Sequence, residues 1–171
     1  MRGHTAISKM VVGCCLKKPP ETIIVFADDK TEKEDAYRYI EKKYLNTGGY
    51  VTGLQLANKY GFTTQNPSCY EVCSNEATTK QRKQTVDCNT IIVYKPVTDI
   101  TKKNKPALQF LDLMSVIDKY SEITGEELVA KLKKYVEAVK VDFSVVKELL
   151  PLYPDKVYRN IYEGGLMGEL V

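Results

Sequence analysis

The apolar positions of this chain change period several times, and each change marks an element. Thr22-Ile23-Ile24-Val25-Phe26-Ala27 is a continuous apolar β-type run, which reads as a strand buried on both faces or as part of a helix. From Glu32 to Leu45 the period is helical, with Ala36, Ile40 and Tyr44 in line and Tyr37 beside them. Thr31 and Glu34 form a capping box for that helix, its charges complement the helix dipole, and Gly48-Gly49 ends it. Leu54, Leu56, Ala57 and Tyr60 predict a second, short helix, with Gly61 where a C-cap needs positive φ. Ser68 to Ser74 then alternates: Tyr70 and Val72 fall on one face, Cys69, Glu71 and Cys73 on the other, as in a strand. Lys80 to Val86 reads as a polar strand or extended arm. Asp87-Cys88-Asn89 is a turn, and Thr90 to Tyr94 is a β-branched strand ended by Pro96. Together these predict a two- or three-stranded antiparallel meander.

Beyond the polar link from Asp99 to Lys105 the pattern is helical to the end. Pro106 suits the first turn of a helix in which Leu108, Leu111 and Ser115 follow one line, thickened by Phe110, Leu113, Met114 and Ile117. A helix this apolar packs centrally. Thr124-Gly125-Glu126-Glu127 is a second capping box, opening a helix to about Lys140 with Leu128, Leu132, Tyr135, Val136 and Val139 inward. Asp142 or Ser144 caps a short helix that ends before Pro151, and Pro154 to Glu163 is the last helix, stopped by Gly164-Gly165. The expected fold is mixed α/β (α+β): a small, mostly antiparallel sheet flanked by helices, with a helical C-terminal third. The expected organisation is an N-terminal arm or remnant strand over 1–20, one domain over 21–165 and a tail over 166–171.

Composition alters this picture little. A chain of 171 residues can bury a real core, and 43% hydrophobic with 27% charged residues is ordinary for a globular protein. A net charge of +3 is too small to imply nucleic acid by itself. No apolar run approaches the ~20 residues of a membrane span. Five cysteines in no regular framework (Cys14, Cys15, Cys69, Cys73 and Cys88) suit a reducing cytosol, so a cytoplasmic location is expected. Cys69, Cys73 and Cys88 would need a fourth ligand to hold zinc, and the only histidine is His4; small apolar side chains are the plainer reading.

Candidate chemistry is sparse. No phosphate loop or dinucleotide fingerprint occurs, and a Ser-His-Asp or Cys-His site would need His4. Asp28, Asp29, Glu71 and Asp87, with Lys80 or Lys83 as charge partner, make an alternative nuclease-like set that solvated surface charge explains as well. No catalytic residue, metal or cofactor is assigned. The leading binding candidates are Lys80, Arg82 and Lys83, where Lys80 and Arg82 share a strand face with Gln84 and could grip phosphates or an acidic protein surface. The plain alternative is an edge strand kept soluble by charge. Lys102 and Lys103 form a second patch. Tyr158 and Arg159 form a candidate docking face on the last helix, and Tyr50 belongs to an exposed-type Tyr-Val-Thr.

The stretch Gly48 to Gln65 resembles the AbiEi family, the antitoxins of type IV toxin–antitoxin systems. Gly49-Tyr50, Gly53, a short helix and Gly61-Phe62-Thr63-Thr64-Gln65-Asn66-Pro67 carry the resemblance, which extends over about residues 20 to 162. It implies a non-enzymatic, cytoplasmic abortive-infection protein and transcriptional regulator. Its large domain would oppose a cognate nucleotidyltransferase-type toxin encoded by an adjacent gene. Family members usually carry an N-terminal winged helix-turn-helix that represses the operon. The twenty residues before Glu21 cannot hold one, so DNA binding is not carried over with the toxin-opposing role. The alternative is a nucleic-acid-binding domain using Lys80, Arg82, Lys83, Lys102 and Lys103.

Overall fold

The computed structural model describes residues 36–170. The N-terminal arm or remnant strand over 1–20, the apolar run Thr22 to Ala27, the Thr31 cap, His4, and the acids Asp28 and Asp29 lie outside those residues. The first helix is present over 36–40 and continues as a π-helical turn, Glu41–Leu45. Strand β1 is Tyr50–Val51 and helix α1 is Gly53–Lys59. Strands β2 (Cys69–Cys73), β3 (Gln81–Val86) and β4 (Asn89–Tyr94) follow. Helices α2 (Lys105–Tyr120), α3 (Gly125–Val139), α4 (Phe143–Leu149) and α5 (Asp155–Glu163) make up the C-terminal part.

The class is mixed α/β as expected, but the sheet is mixed rather than antiparallel. Its strand order is β1-β2-β4-β3, with β2 and β4 parallel and the other pairs antiparallel. The pattern places β2, β3 and β4 but not the two-residue β1. It could not fix their order, because β4 inserts between β2 and β3 and the meander is not formed. The β3–β4 hairpin closes through Asp87 and Cys88, at φ 44° and 65°. Positive φ at both central residues is the type I′ turn whose twist matches a right-handed hairpin.

The pleat sends two sets of side chains to two different cores. Val72, Ile91 and Val93 face Ile40 and Tyr44 of the first helix, and Gln84 of β3 donates to the Tyr44 hydroxyl at 2.8 Å on that side. On the other face Tyr50 and Cys73 meet Leu108 of α2. Helix α2 is the centre of the larger core: Ala107, Phe110, Leu111, Leu113, Met114 and Ile117 are buried against α1, α3, α4 and α5. Fully burying one such aliphatic or aromatic side chain contributes about 1.5–3 kcal/mol, so this helix dominates cohesion.

The helix boundaries agree with the sequence at several caps. Gly61 has φ +70°, Asp142 accepts from the Ser144 N–H at 2.9 Å, and Lys140 ends α3 in the left-handed region. The Thr124 side chain makes no capping hydrogen bond, so that capping box is not closed. Residues 166–170 are not a loose tail. Leu166 is buried in the main core and Met167–Leu170 form a 3-10 turn, with Leu170 packed against that core.

Candidate functional site

Three carboxylates organise the middle of the molecule, and each is held by residues of the Gly48 to Gln65 stretch. Glu71 on β2 points at the start of α1. Its Oε2 accepts the Leu54 N–H at 2.9 Å and its Oε1 accepts the Tyr94 hydroxyl at 3.0 Å. The carboxylate thus supplies the cap that Thr52 does not, since the Thr52 side chain makes no capping bond. Gly53 has φ +63°, and any Cβ there would collide with the Glu71 carboxylate. Glu71 is therefore a buried structural anchor, while Asp87 is exposed in the hairpin turn at the opposite end of β4.

Asp112 is the second hub. Tyr153 donates to its Oδ1 at 2.9 Å, Tyr50 to Oδ2 at 2.9 Å, and Thr52 to Oδ2 at 3.4 Å. One carboxylate thereby joins β1, α2 and the segment entering α5. Burial pushes Asp112 up to about 6, against the pull of the three hydroxyls. The neighbouring Cys73 thiol is pushed up to about 12, also chiefly by burial. Tyr50 is consequently not a surface contact: it is 2% exposed, and the exposed reading of Tyr-Val-Thr is corrected. An acid between Leu111 and Leu113 in the most apolar helix was the sequence signal for this hub.

The third clasp explains Thr63-Thr64-Gln65. Glu122, just past α2, accepts the Thr64 N–H at 2.9 Å, the Thr63 hydroxyl at 2.7 Å and the Thr64 hydroxyl at 2.8 Å. The Thr64 N–H first, then the two hydroxyls, hold its carboxyl down at about 2. Glu122 also donates its own N–H to the Phe62 carbonyl at 2.9 Å, so loop and helix end are locked from both sides.

The outward-facing candidates lie elsewhere. Lys80, Arg82 and Lys83 are exposed on and just before β3, the edge strand of the sheet. Arg82 and Gln84 share the face of the first helix, and Lys83 points to the other face, in register with Ile92 and Glu71. Lys80 extends the ladder by one pair, its carbonyl accepting the Lys95 N–H at 3.1 Å. Lys102 and Lys103 are exposed in the turn before α2. Asn75, following β2, accepts the Ile100 N–H at 2.8 Å and so ties that loop to the end of the sheet where Lys80 and Lys95 lie. The topology thus gathers Lys80, Lys95, Lys102 and Lys103 at one end of the sheet.

Tyr158 and Arg159 are exposed on α5, with Tyr162 one turn on and 71% exposed. Arg159 lies 3.9 Å from both Asp118 and Glu163, so its charge is shared within the fold. Tyr153, by contrast, is buried on Asp112.

Cys69 and Cys73 are free thiols, as small apolar residues would be, whereas Cys88 is in a disulfide, which the expectation of reduced cysteines did not foresee. Among the described residues no three His, Cys, Asp or Glu side chains come together as a metal site, and no helix is long and apolar enough to cross a membrane. No protein-family model, curated protein or solved structure matches this chain.

Proposed function

We propose that this chain is an antitoxin of the AbiEi type, a non-enzymatic cytoplasmic protein that neutralises a nucleotidyltransferase-type toxin encoded next to it. The observation that carries the reading is a division of labour. Gly49, Tyr50, Gly53 and Gly61 to Gln65, the residues that bear the resemblance, are engaged in shaping the fold. A Cβ at Gly49 would stand 2.6 Å from the Tyr44 and Cys73 carbonyls; Gly53 makes room for Glu71, Tyr50 holds Asp112, and Thr63 with Thr64 holds Glu122. Of the carboxylates that a catalytic reading would use, Glu71 is engaged in the same contacts. Among the residues turned to solvent are a basic strand edge and loop, Lys80, Arg82, Lys83, Lys102 and Lys103.

The test is co-expression of this chain with the product of the adjacent reading frame, scoring growth and co-purification. Rescue of growth with co-elution supports neutralisation by contact; a toxic neighbour that this chain does not rescue sinks the antitoxin reading.

A second reading, nucleic-acid binding, is favoured by one observation, the gathering of Lys80, Lys95, Lys102 and Lys103 at one end of the sheet. Its discriminator is salt: binding through six or more phosphate contacts falls about a thousandfold between 50 and 200 mM salt.

A further inference from the structure

The two ends of β3 fix independently which of its main-chain groups are used. The two-residue type I′ turn makes Val86 and Asn89 a mutually hydrogen-bonded pair. At the other end the Lys95 N–H donates to the Lys80 carbonyl at 3.1 Å. Both facts set the same parity: Lys80, Arg82, Gln84 and Val86 turn their main chain to β4. Gln81, Lys83 and Thr85 turn theirs to the outer edge, which no other strand of the described residues pairs with. Only the Gln81 carbonyl is locally engaged, accepting the Thr79 hydroxyl at 3.2 Å.

We propose that this edge is a docking site for an extended protein segment with acidic side chains at alternate positions, added as a further strand beside β3. The inference rests on the reading that this chain acts by contact with a protein partner. Charge selects the occupant. Lys80, Arg82, Lys83 and Lys95 surround the edge, none of them in an ion pair among the described residues, and 80–86 contains no acid. Cations on an edge repel a basic strand, a second copy of the same strand included, and lose hydration against a neutral strand that offers no opposite charge in return. An acidic strand is the class for which the same cations are attractive. The pleat places Arg82 on one face of the sheet and Lys83 on the other, so acidic side chains on both faces of the incoming strand find a cation. Nucleic acid fits less well. β3 carries no aromatic side chain for base stacking, and Tyr94, across from Gln81, is committed to Glu71.

The test is residue-resolved amide hydrogen exchange on the full chain, with acetyl-Glu-Val-Glu-Val-Glu-Val-Glu-amide at millimolar concentration as the probe. In the free protein, Gln81, Lys83 and Thr85 amides should exchange fast while Arg82, Gln84 and Val86 are protected. The peptide should slow the first three about tenfold, and its Lys-for-Glu counterpart should not. Lys83→Pro removes one outward N–H at an edge position where proline is tolerated, and should abolish the protection; Lys83→Ala keeps the N–H and should lose less. Unchanged exchange at the three amides overturns the proposal. So does protection by oligodeoxythymidylate but not by the peptide, which would assign the edge to nucleic acid. Growth rescue separates the two claims: rescue by Lys83→Pro equal to that by the unaltered chain overturns edge docking and leaves the antitoxin reading standing. Failure of the unaltered chain to rescue overturns the antitoxin reading, and the peptide result then decides edge docking alone.

Discussion

The carboxylate of Glu71 occupies the space in which a side chain at Gly53 would begin, and from there it accepts the Leu54 N–H at 2.9 Å. Residues from a helix start and a strand centre are thereby mutually obligatory. Gly53→Ala adds a Cβ at φ +63° and displaces the cap. The expected cost is about 2–4 kcal/mol, from left-handed strain together with the lost cap. In urea unfolding, Gly53→Ala and Glu71→Ala should be strongly non-additive, because the alanine at 71 clears the space that the new methyl needs. Additive losses would mean that the contact is not the reason for the glycine.

The pH dependence of stability should carry the signature of Asp112. Its carboxyl is raised from an ordinary 3.8 to about 6 by burial. A raised folded-state value favours the protonated native form, so the contribution is fully present below about 3.8 and is lost as pH rises to about 6. At about 1.36 kcal/mol per unit the contribution is at most roughly 3 kcal/mol, and less where water reaches this half-buried residue. Asp112→Asn should therefore gain stability relative to the unaltered chain between pH 4 and pH 6.5. Urea midpoints that run parallel across that range would refute it.

Glu122 has the opposite sign. Its carboxyl is held down at about 2, so its contribution is present above the ordinary value of 4.5 and is lost as pH falls from there to about 2. Because the side chain is exposed, the expected readout is local. Glu122→Gln should speed exchange of the Thr64 amide at neutral pH and leave α3 amides unchanged. Equal Thr64 exchange in the two proteins would show that the clasp does not order the loop.

The longer strands and the helices were legible because each has a clean period, Tyr70 with Val72 against Glu71 with Cys73, or the apolar line through Leu108 and Leu111; the two-residue β1 has none. The sheet order was not, because the same alternation serves a meander and an inserted β4, and parallel pairing of β2 with β4 leaves no local mark. Gly61 was readable as a C-cap because positive φ has a residue preference. The clasps were not readable: Glu71, Asp112 and Glu122 meet partners 17 to 62 positions away. Tyr50 shows the cost of that blindness, since a tyrosine between glycines and a threonine looks exposed until its acceptor is known. The basic edge of β3 was legible as charge on a strand, because an exposed sheet edge is where such charge is tolerated.

Three buried tyrosine hydroxyls offer a comparison in which the chemical deletion is constant and only the partner changes. Tyr50 and Tyr153 each donate to Asp112 at 2.9 Å, whereas the Tyr135 hydroxyl is buried without a hydrogen-bond partner and its ring packs edge-on against Tyr60 at 4.6 Å. A hydrogen bond to a charged group contributes about 1.5–3 kcal/mol, and a buried unpaired hydroxyl contributes nothing favourable. Tyr153→Phe and Tyr50→Phe should each destabilise by about 1.5–3 kcal/mol at pH 7. Tyr135→Phe keeps the edge-on ring contact and removes an unsatisfied polar atom, so it should be neutral or stabilising by up to about 1 kcal/mol. The two costly substitutions should become milder near pH 4, where Asp112 is protonated in the folded chain and the bond is no longer to a full charge. A Tyr135→Phe variant as unstable as Tyr153→Phe would mean that its hydroxyl has found a partner in solution. A Tyr153→Phe penalty independent of pH would detach the tyrosine from the charge on Asp112.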